Sequence, residues 1–211
     1  MRLRQKPWAD QEFAENPLFV PNPKEHKGTW RDIFANDNPI HLEIGCGKGR
    51  FVIENALAQP HINFLAMEKQ ERILCMALRS GRDADLPPNL RFFCQEAENL
   101  QDIFGPAELA RIYINFCDPW RARGKWRKRR LTHRDFLAVY QTIMGGGQVH
   151  FKTDDEVLFN FSVTEFKETG WRLDNVTTDL HNSGAGNIMT EYEARFAAKG
   201  MKIYRLEADK S

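Results

Sequence analysis

IHLEIGCGKG, residues 40–49, is the stretch that decides the fold of this 211-residue chain. Five residues that suit a buried strand come first, and glycines then follow at alternate positions, Gly45, Gly47 and Gly49. Glycine lets the backbone turn tightly and approach a ligand without a clash from Cβ. From Arg50 onward the apolar residues take the spacing of a helix. The stretch predicts a strand, a ligand-binding turn and a helix, which is the opening unit of an α/β domain.

The same alternation of short apolar runs and helical patterns continues along the chain, and it is typical of a mostly parallel sheet. We predict seven strands, at residues 40–44, 62–68, 90–95, 111–116, 147–153, 171–177 and 202–208. One of the predicted helices spans residues 132–144, with Thr132 suited to be its N-cap. The predicted fold class is therefore a doubly wound α/β sheet, with helices on both faces and ligands at the carboxyl ends of the strands.

Composition favours a single domain with an N-terminal extension. Residues 1–38 hold prolines and aromatics without clear periodicity, so we interpret them as an extension that wraps a domain of residues 39–211. The net charge is only +1, and the four cysteines are scattered with no CxxC pair. A secretion signal and long apolar stretches are absent from the sequence. We therefore expect a cytoplasmic protein with no membrane span, no disulfide and no metal site.

The residues around the glycine turn favour a cationic cofactor over a nucleotide phosphate. Arg50 stands where a dinucleotide fingerprint wants a small residue, and the nucleoside triphosphate motif G-x-x-x-x-G-K-[ST] is missing. Glu43 would repel a pyrophosphate but attract an ammonium or sulfonium, and S-adenosylmethionine carries both. Glu68 ends the second strand, where an acid commonly accepts hydrogen bonds from ribose hydroxyls, and Glu96 follows the third strand, within reach of an adenine amino group. Taken alone, the turn is also compatible with a plain strand-to-helix connection.

A second motif, NFCDPW at residues 115–120, ends the fourth strand and would lie beside the methyl group of such a cofactor. Pro119 restricts Asp118 to an extended conformation, which aims its carboxylate. The motif resembles the [DN]-P-P-[FYW] motif of amino-group methyltransferases but lacks the second proline. The alternative interpretation is that Asp118 caps a turn while Trp120 packs in the core.

A basic segment follows this motif directly. RARGKWRKRRLTHR, residues 121–134, carries eight Lys or Arg residues and no acid. Such a segment can neutralise phosphates while an aromatic side chain stacks on a base, although a charge run is more often only a solvated surface. Because it adjoins the predicted methyl donor, we predict that it contacts RNA. The predicted contacts are Trp126, Arg127, Lys128, Arg129 and Arg130.

Six motifs, taken in order, span nearly the whole chain: MRLRxKPWA, EIGCGKG, NFxDPW, KRRLT, TDLHNS and GNIMTEYE. In these motifs the chain resembles the bacterial tRNA (guanine-N7)-methyltransferases. The resemblance implies a Rossmann-like, class I fold that depends on S-adenosylmethionine and has tRNA as its substrate, with the target guanosine in the variable loop. It implies cofactor contacts at Glu43, Glu68, Glu96 and Asp118. It implies substrate contacts at Asp154, Thr190, Glu191, Tyr192 and Glu193.

This sequence departs from the family pattern after the fourth strand. The family usually reads D-P-W-P-K-K-R-H, whereas this chain reads DPWRARGKWRKRR and is one residue longer. Ala122 stands where a substrate-binding lysine is expected. We hypothesise that Arg123 or Lys125 takes over that role.

The expected reaction is a direct in-line attack of guanine N7 on the sulfonium methyl group, with Asp118 as the catalytic residue. We expect Asp118, Glu191 or Glu193 to accept a hydrogen bond from guanine N1–H and so select guanine. The alternatives are a methyltransferase for adenine amino groups and a non-catalytic RNA-binding module with the same fold. A nicotinamide dehydrogenase is disfavoured by Arg50. We expect a monomer or homodimer without an obligatory protein partner.

Overall fold

In the computed structural model, residues 8–121 and 124–210 are described, and they contain one seven-stranded sheet. The strands are β1 (Ile40–Ile44), β2 (Asn63–Glu68), β3 (Leu90–Cys94), β4 (Leu109–Asn115), β5 (Met144–Thr153), β6 (Trp171–Thr177) and β7 (Tyr204–Lys210). The α-helices of these ranges are α1 (Ala9–Glu15), α2 (Trp30–Phe34), α3 (Arg50–Ala58), α4 (Glu71–Asp83), α5 (Leu100–Ile103), α6 (Arg134–Ile143), α7 (Glu156–Glu168) and α8 (Glu191–Ala197). None of these helices has the length and apolar character needed to cross a membrane.

The strand order β3-β2-β1-β4-β5-β7-β6 confirms the predicted mostly parallel sheet. β1 lies at the centre and pairs in parallel with both β2 and β4, so the direction of winding reverses between β1 and β4. β7 is antiparallel to β5 and β6, and it alone runs against the others. The carboxyl ends of β1 and β4 therefore meet where a doubly wound sheet leaves a crevice for its ligand.

Buried side chains pack on both faces of the sheet, which confirms the helix layers. One core cluster joins β1, β4 and β5 to α6 and α7 through residues such as Ile112, Phe151 and Tyr140. The other joins β2 and β3 to α3 and α4 through residues such as Phe64 and Leu74. β2 and β4 contribute alternate side chains to the two clusters, as the period-2 geometry of a strand requires.

The prediction that Thr132 caps the sixth helix is wrong. α6 begins at Arg134, and its N-cap is His133, whose Nδ1 accepts a hydrogen bond from the Asp135 backbone N–H at 3.2 Å. Thr132 is instead fully buried, with its Oγ1 2.7 Å from the hydroxyl oxygen of Ser162 in α7. The Thr132 hydroxyl therefore joins the basic segment to α7, and the next residue, His133, is the N-cap of α6.

The described part of the N-terminal extension packs on both sides of the sheet. The Phe92 backbone N–H donates to Leu18 O at 2.7 Å, and the Val20 N–H donates to Phe92 O at 2.8 Å, so the extension borders β3. Trp30 is fully buried, and its indole Nε1–H donates to Ile103 O at 3.0 Å. We propose that residues 8–38 fold together with the rest of the chain as one unit.

Candidate active site

The glycine turn holds the end of β1 against the end of β2. The backbone N–H groups of Gly45 and Cys46 both donate to Met67 O, at 2.8 and 3.0 Å. Gly49 precedes α3 with a φ of +84°, and a Cβ there would lie 3.1 Å from the Cβ of Ala77. Glycine is therefore needed at this position both for the left-handed conformation and for the close packing of α3 on α4.

Glu43 is buried at the end of β1 with only half of its carboxyl group paired. Oε1 accepts a hydrogen bond from Asn115 Nδ2 at 2.8 Å, whereas Oε2 has no hydrogen-bond partner among the described residues. Burial raises the pKa of Glu43 to about 7, against the opposing effects of the Asn115 hydrogen bond and the Lys152 charge. An unpaired buried carboxyl oxygen costs free energy that a cationic ligand would offset.

Glu68 ends β2, and its carboxylate accepts hydrogen bonds from nearby backbone groups, including one in the glycine turn. Its Oε1 accepts from the Gln70 N–H at 3.0 Å, and its Oε2 accepts from the Gly47 N–H at 3.3 Å. These bonds leave the carboxylate fixed at the wall of a cavity of about 250 Å³, the first cavity, which also includes Gly45 and Asp118. Glu68 can therefore accept further hydrogen bonds from a ligand without reorganising.

Glu96 does not line the first cavity. It is exposed at the start of a 3₁₀ turn, Ala97–Asn99, and its neighbours Gln95 and Glu98 contribute to the wall instead. The polar side chains on both sides of the predicted acid are thus better placed than the acid itself. Their assignment could not have come from strand spacing alone, because the direction of each side chain depends on the turn that follows β3.

Two bulky residues of the NFCDPW motif adopt left-handed backbone conformations. Phe116 has a φ of +54° and Trp120 a φ of +41°, which are rare for side chains of this size and store strain. Between them the Asp118 side chain is exposed at the mouth of the first cavity, with Oδ2 3.9 Å from Lys69 Nζ. The strained turn therefore presents an exposed carboxylate, paired with Lys69 at 3.9 Å, beside the cavity.

The basic segment forms an aromatic and cationic cluster at the same mouth. The Trp120 and Trp126 rings stack with centroids 5.6 Å apart, and the Arg129 guanidinium lies 3.8 Å from the Trp120 centroid. Trp126, Arg127, Lys128 and Arg129 are all exposed. Trp120 and Arg129 also line the first cavity. The surface predicted to contact RNA is thus continuous with the predicted cofactor cavity.

Arg130 departs from the expectation that it contacts RNA, because it is only 3% exposed. Its Nε donates to Pro119 O at 2.9 Å, and its guanidinium lies 4.4 Å from the ring centroid of Phe161. Arg130 therefore stabilises the strained turn of the NFCDPW motif from its buried side. Ala122, Arg123 and the side chain of Lys125 lie outside the described residues, so the hypothesis about the missing lysine stays a prediction.

A second cavity, of about 340 Å³, adjoins the first at Gly45, Asn115 and Phe116. Its other walls are the glycine turn and the start of α8, with Thr190, Glu191 and Tyr192. The Tyr192 ring lies 5.0 Å from the Phe116 ring, and its hydroxyl donates to Asp154 Oδ2 at 3.1 Å. The structure therefore brings Asp154 together with Tyr192, which lines the same cavity as Glu43.

Glu193, which was expected to contact substrate, is fully buried and paired within the protein. Its Oε2 accepts from Lys152 Nζ at 2.7 Å, and its Oε1 accepts from Asn187 Nδ2. Lys152 also donates to Asn187 Oδ1 at 2.9 Å and Ile188 O at 3.0 Å, which uses all three ammonium protons. The network fixes the loop before α8 to β5. The sequence analysis did not single out Lys152, although it is the one Lys, Arg, Asp or Glu of the strand predicted at residues 147–153.

Comparisons with known proteins agree with this geometry. The model of a family described as "Putative methyltransferase" matches residues 37–206. The chain is 48% identical to the tRNA (guanine-N(7)-)-methyltransferase of Geobacillus sp. (strain WCH70), over 98% of this chain and 94% of the relative. It is 45% identical to the protein of the same name from Bacillus subtilis (strain 168), over 99% of each chain.

Solved structures show the same fold at low sequence identity. The 16S rRNA methyltransferase KamB superposes with a TM-score of 0.65 at 13% identity, over 87% of this chain and 93% of that one. This likeness shows a Rossmann-like methyltransferase fold.

Proposed function

The chain belongs to the tRNA (guanine-N(7)-)-methyltransferase family, and on that premise we propose that it methylates N7 of a guanosine in the variable loop of tRNA. It is an S-adenosylmethionine-dependent transferase. The observation that carries the site assignment is the meeting of the first and second cavities at Gly45, Asn115 and Phe116, together with the unpaired oxygen of Glu43, which lines the second cavity. An adenine amino-group activity is not favoured, because the full-length relatives are named for guanine N7.

The residues of the first cavity fit S-adenosylmethionine. Glu43 lines the second cavity, which adjoins the first at Gly45 and Asn115, and its buried oxygen without a partner suits the ammonium of the methionine part at that junction. Glu68, fixed at the end of β2, suits the ribose hydroxyls. Asp118 lies at the mouth, where a carboxylate favours the sulfonium cation. We assign Gln95 and Glu98, which line this cavity, to the adenine edge in place of Glu96.

The second cavity suits the guanine base. We assign Tyr192 and Phe116 as its aromatic walls, with Asp154 holding the Tyr192 hydroxyl. Glu191 lines this cavity and is half-exposed beside Lys48, with Oε2 3.1 Å from Nζ. Since Glu193 is committed to Lys152, Glu191 is the better candidate to accept from guanine N1–H.

When bound, S-adenosylmethionine supplies an electrophilic methyl group, whose bond to sulfur breaks as the bond to N7 forms. Guanine N7 carries a lone pair and no proton, so this chain needs no general base. Positioning is then the main task, and alignment of two reactants can contribute about 7–11 kcal/mol to catalysis. As N7 gains positive charge, guanine N1–H becomes more acidic, so its hydrogen bond to Glu191 strengthens in the transition state.

Trp126, Arg127, Lys128 and Arg129 would hold the RNA, with Arg123 and Lys125 as further candidates in the same segment. Exposed guanidinium and ammonium groups neutralise phosphates, and the Trp126 ring offers a stacking surface for an unpaired base. tRNA is the partner that the names of the relatives support. A monomer or homodimer without another protein subunit, in the cytoplasm, stays a prediction.

The test is to incubate the protein with unmodified tRNA and methyl-labelled S-adenosylmethionine, and then to identify the labelled nucleoside after digestion. We expect 7-methylguanosine, mapped by sequencing to the variable loop. Asp118→Ala should abolish most of the label, while Asp135→Ala, an exposed acid on α6, serves as the matched control. Label on adenosine, or label at a guanosine elsewhere in the tRNA, would contradict the proposal.

A further inference from the structure

A third cavity, of about 360 Å³, lies beside the second cavity and shares Phe51 and Asn115 with it. It runs along the sheet between α3 and the loop at residues 186–188. Besides Phe51 and Ile188, its walls carry several polar side chains, among them Asn55, Arg111, His150 and Arg205. The described site therefore continues past the proposed base pocket into a polar groove that the methyl transfer itself does not use.

Arg111 gives this groove an unbalanced positive charge. Lys152 is paired with Glu193, and Arg205 is paired with Glu207. Arg111 donates to two neutral groups, Gln148 Oε1 at 2.8 Å and Tyr113 Oη at 3.3 Å. Among the described residues no carboxylate lies within 4.0 Å of its guanidinium.

The neighbouring histidines do not change this balance. Burial and the Arg111 charge lower the pKa of His150 to about 3, so its ring is neutral at physiological pH. Burial and the same charge lower the pKa of His41, which contacts Tyr113, to about 3 as well. Arg111 is thus a cation whose own hydrogen-bond partners are neutral, in a groove where water screens charge less than at an open surface.

The loop at residues 186–188 adds backbone donors. Two of its carbonyl groups are used, since Ile188 O accepts from Lys152 and Gly186 O accepts from Arg205. Asn187 and Ile188 are half-buried residues, and their backbone N–H groups donate no hydrogen bond within the described part of the chain. A guanidinium together with free backbone N–H groups is the donor set that proteins use for phosphate.

We propose that the third cavity binds a phosphodiester group of the RNA strand next to the target guanosine, with Arg111 as its charge partner. This inference rests on the proposed function. The basic segment borders the first cavity and the third cavity borders the second, so the strand would be held on both sides of the methylated base. Two anchors of this kind keep an extruded base in place while its neighbours remain outside.

Salt dependence of tRNA affinity tests the proposal. Each phosphate contact contributes about 0.7–0.9 to the slope of log affinity against log salt concentration. We expect Arg111→Gln to reduce the slope by about that amount and to weaken binding several-fold at physiological salt. Arg111→Lys should keep the slope. The matched control is Arg172→Gln, which removes an exposed cation from the edge strand β6.

A second measurement identifies the source of the phosphate. Single methylphosphonate linkages are placed on either side of the target guanosine, and one of them should weaken binding to the wild type but not to Arg111→Gln. Inorganic phosphate, at constant ionic strength, should compete only weakly. Two results would overturn the assignment. One is an equal salt dependence of tRNA affinity in the wild type and Arg111→Gln, and the other is competition by inorganic phosphate with no effect of either methylphosphonate linkage. Wild-type formation of 7-methylguanosine in the same preparation shows whether the proposed function itself holds.

Discussion

At the scale of single residues, the buried carboxyl of Glu43 links cofactor affinity to pH. Its pKa is raised to about 7 by burial, so below this value the group is largely protonated and loses its attraction for an ammonium. If only the ionised form binds S-adenosylmethionine, affinity should fall about tenfold between pH 8 and pH 6. Isothermal titration calorimetry across this range measures the effect.

The control for this prediction is Glu43→Gln, which should bind S-adenosylmethionine about 10- to 100-fold more weakly, since a hydrogen bond to a charged group contributes about 1.5–3 kcal/mol. Its affinity should be flat between pH 6 and 8. Because a raised carboxyl pKa means that folding takes up a proton, the wild type should lose stability as pH rises from about 4.5 to about 7. Glu43→Gln should lack this loss, and a pH profile that persists in the variant would refute the assignment.

Arg127 and Arg130 lie three residues apart in the basic segment, but replacing them should have different effects on stability and RNA binding. Removal of Arg130 leaves the Pro119 carbonyl without its donor in a partly buried turn, which costs about 1–3 kcal/mol. We expect Arg130→Ala to lower Tm by several degrees. Arg127→Ala, on the exposed surface, should leave Tm unchanged and reduce tRNA affinity. Equal Tm values for the two variants would show that Arg130 does not support the turn.

At the scale of elements, the Lys152–Glu193 pair joins β5 to α8 and to the residues that line the second cavity. Breaking a buried ion pair from one side leaves an uncompensated charge and costs about 3–5 kcal/mol. Lys152→Met should therefore lower Tm by roughly 10 °C. It should also lower kcat more than S-adenosylmethionine affinity, because the loop before α8 loses its anchor.

A double-mutant cycle separates the pair from its surroundings. Lys152→Met with Glu193→Gln should be more stable than the sum of the two single changes predicts, because no unpaired charge remains. Arg50→Met is the matched control, since its pair with Glu54 is exposed and contributes at most about 1 kcal/mol. Additive losses in the double variant would mean that the two side chains stabilise the loop independently.

The sequence predicted the order and kind of the elements better than their ends. β1 was predicted with its correct bounds because the glycine turn stops it, whereas β5 begins at Met144 rather than at residue 147, directly after α6. Local spacing cannot show which of two adjacent polar residues becomes a cap, as with Thr132 and His133. Nor can it show that Arg130 turns inward or that Lys152 meets Glu193, because those contacts depend on tertiary packing of distant segments.

At the scale of the whole molecule, the ligand-binding features follow the sheet. The first cavity opens where β1, β2 and β4 end, the second is closed by α8, and the third runs beside β4, β5 and β7. The proposed sites for the cofactor, the guanine base and the RNA strand are therefore built from segments spread between residues 43 and 205. This dispersal explains why the motifs lie along nearly the whole chain, since each contributes one wall.

Trp30 and Trp126 test whether the N-terminal extension and the domain fold as one unit. Trp30 is fully buried beside Phe93 and Phe104, so Trp30→Ala should cost about 3–5 kcal/mol and broaden or lower the unfolding transition of the whole chain. Trp126→Ala, an exposed tryptophan of the basic segment, should leave that transition unchanged and weaken tRNA binding, since stacking on a base contributes about 1–3 kcal/mol. Calorimetry and tRNA binding on both variants give the comparison. An early separate transition in Trp30→Ala, with the main transition unmoved, would mean that the extension folds on its own and that the sheet does not depend on it.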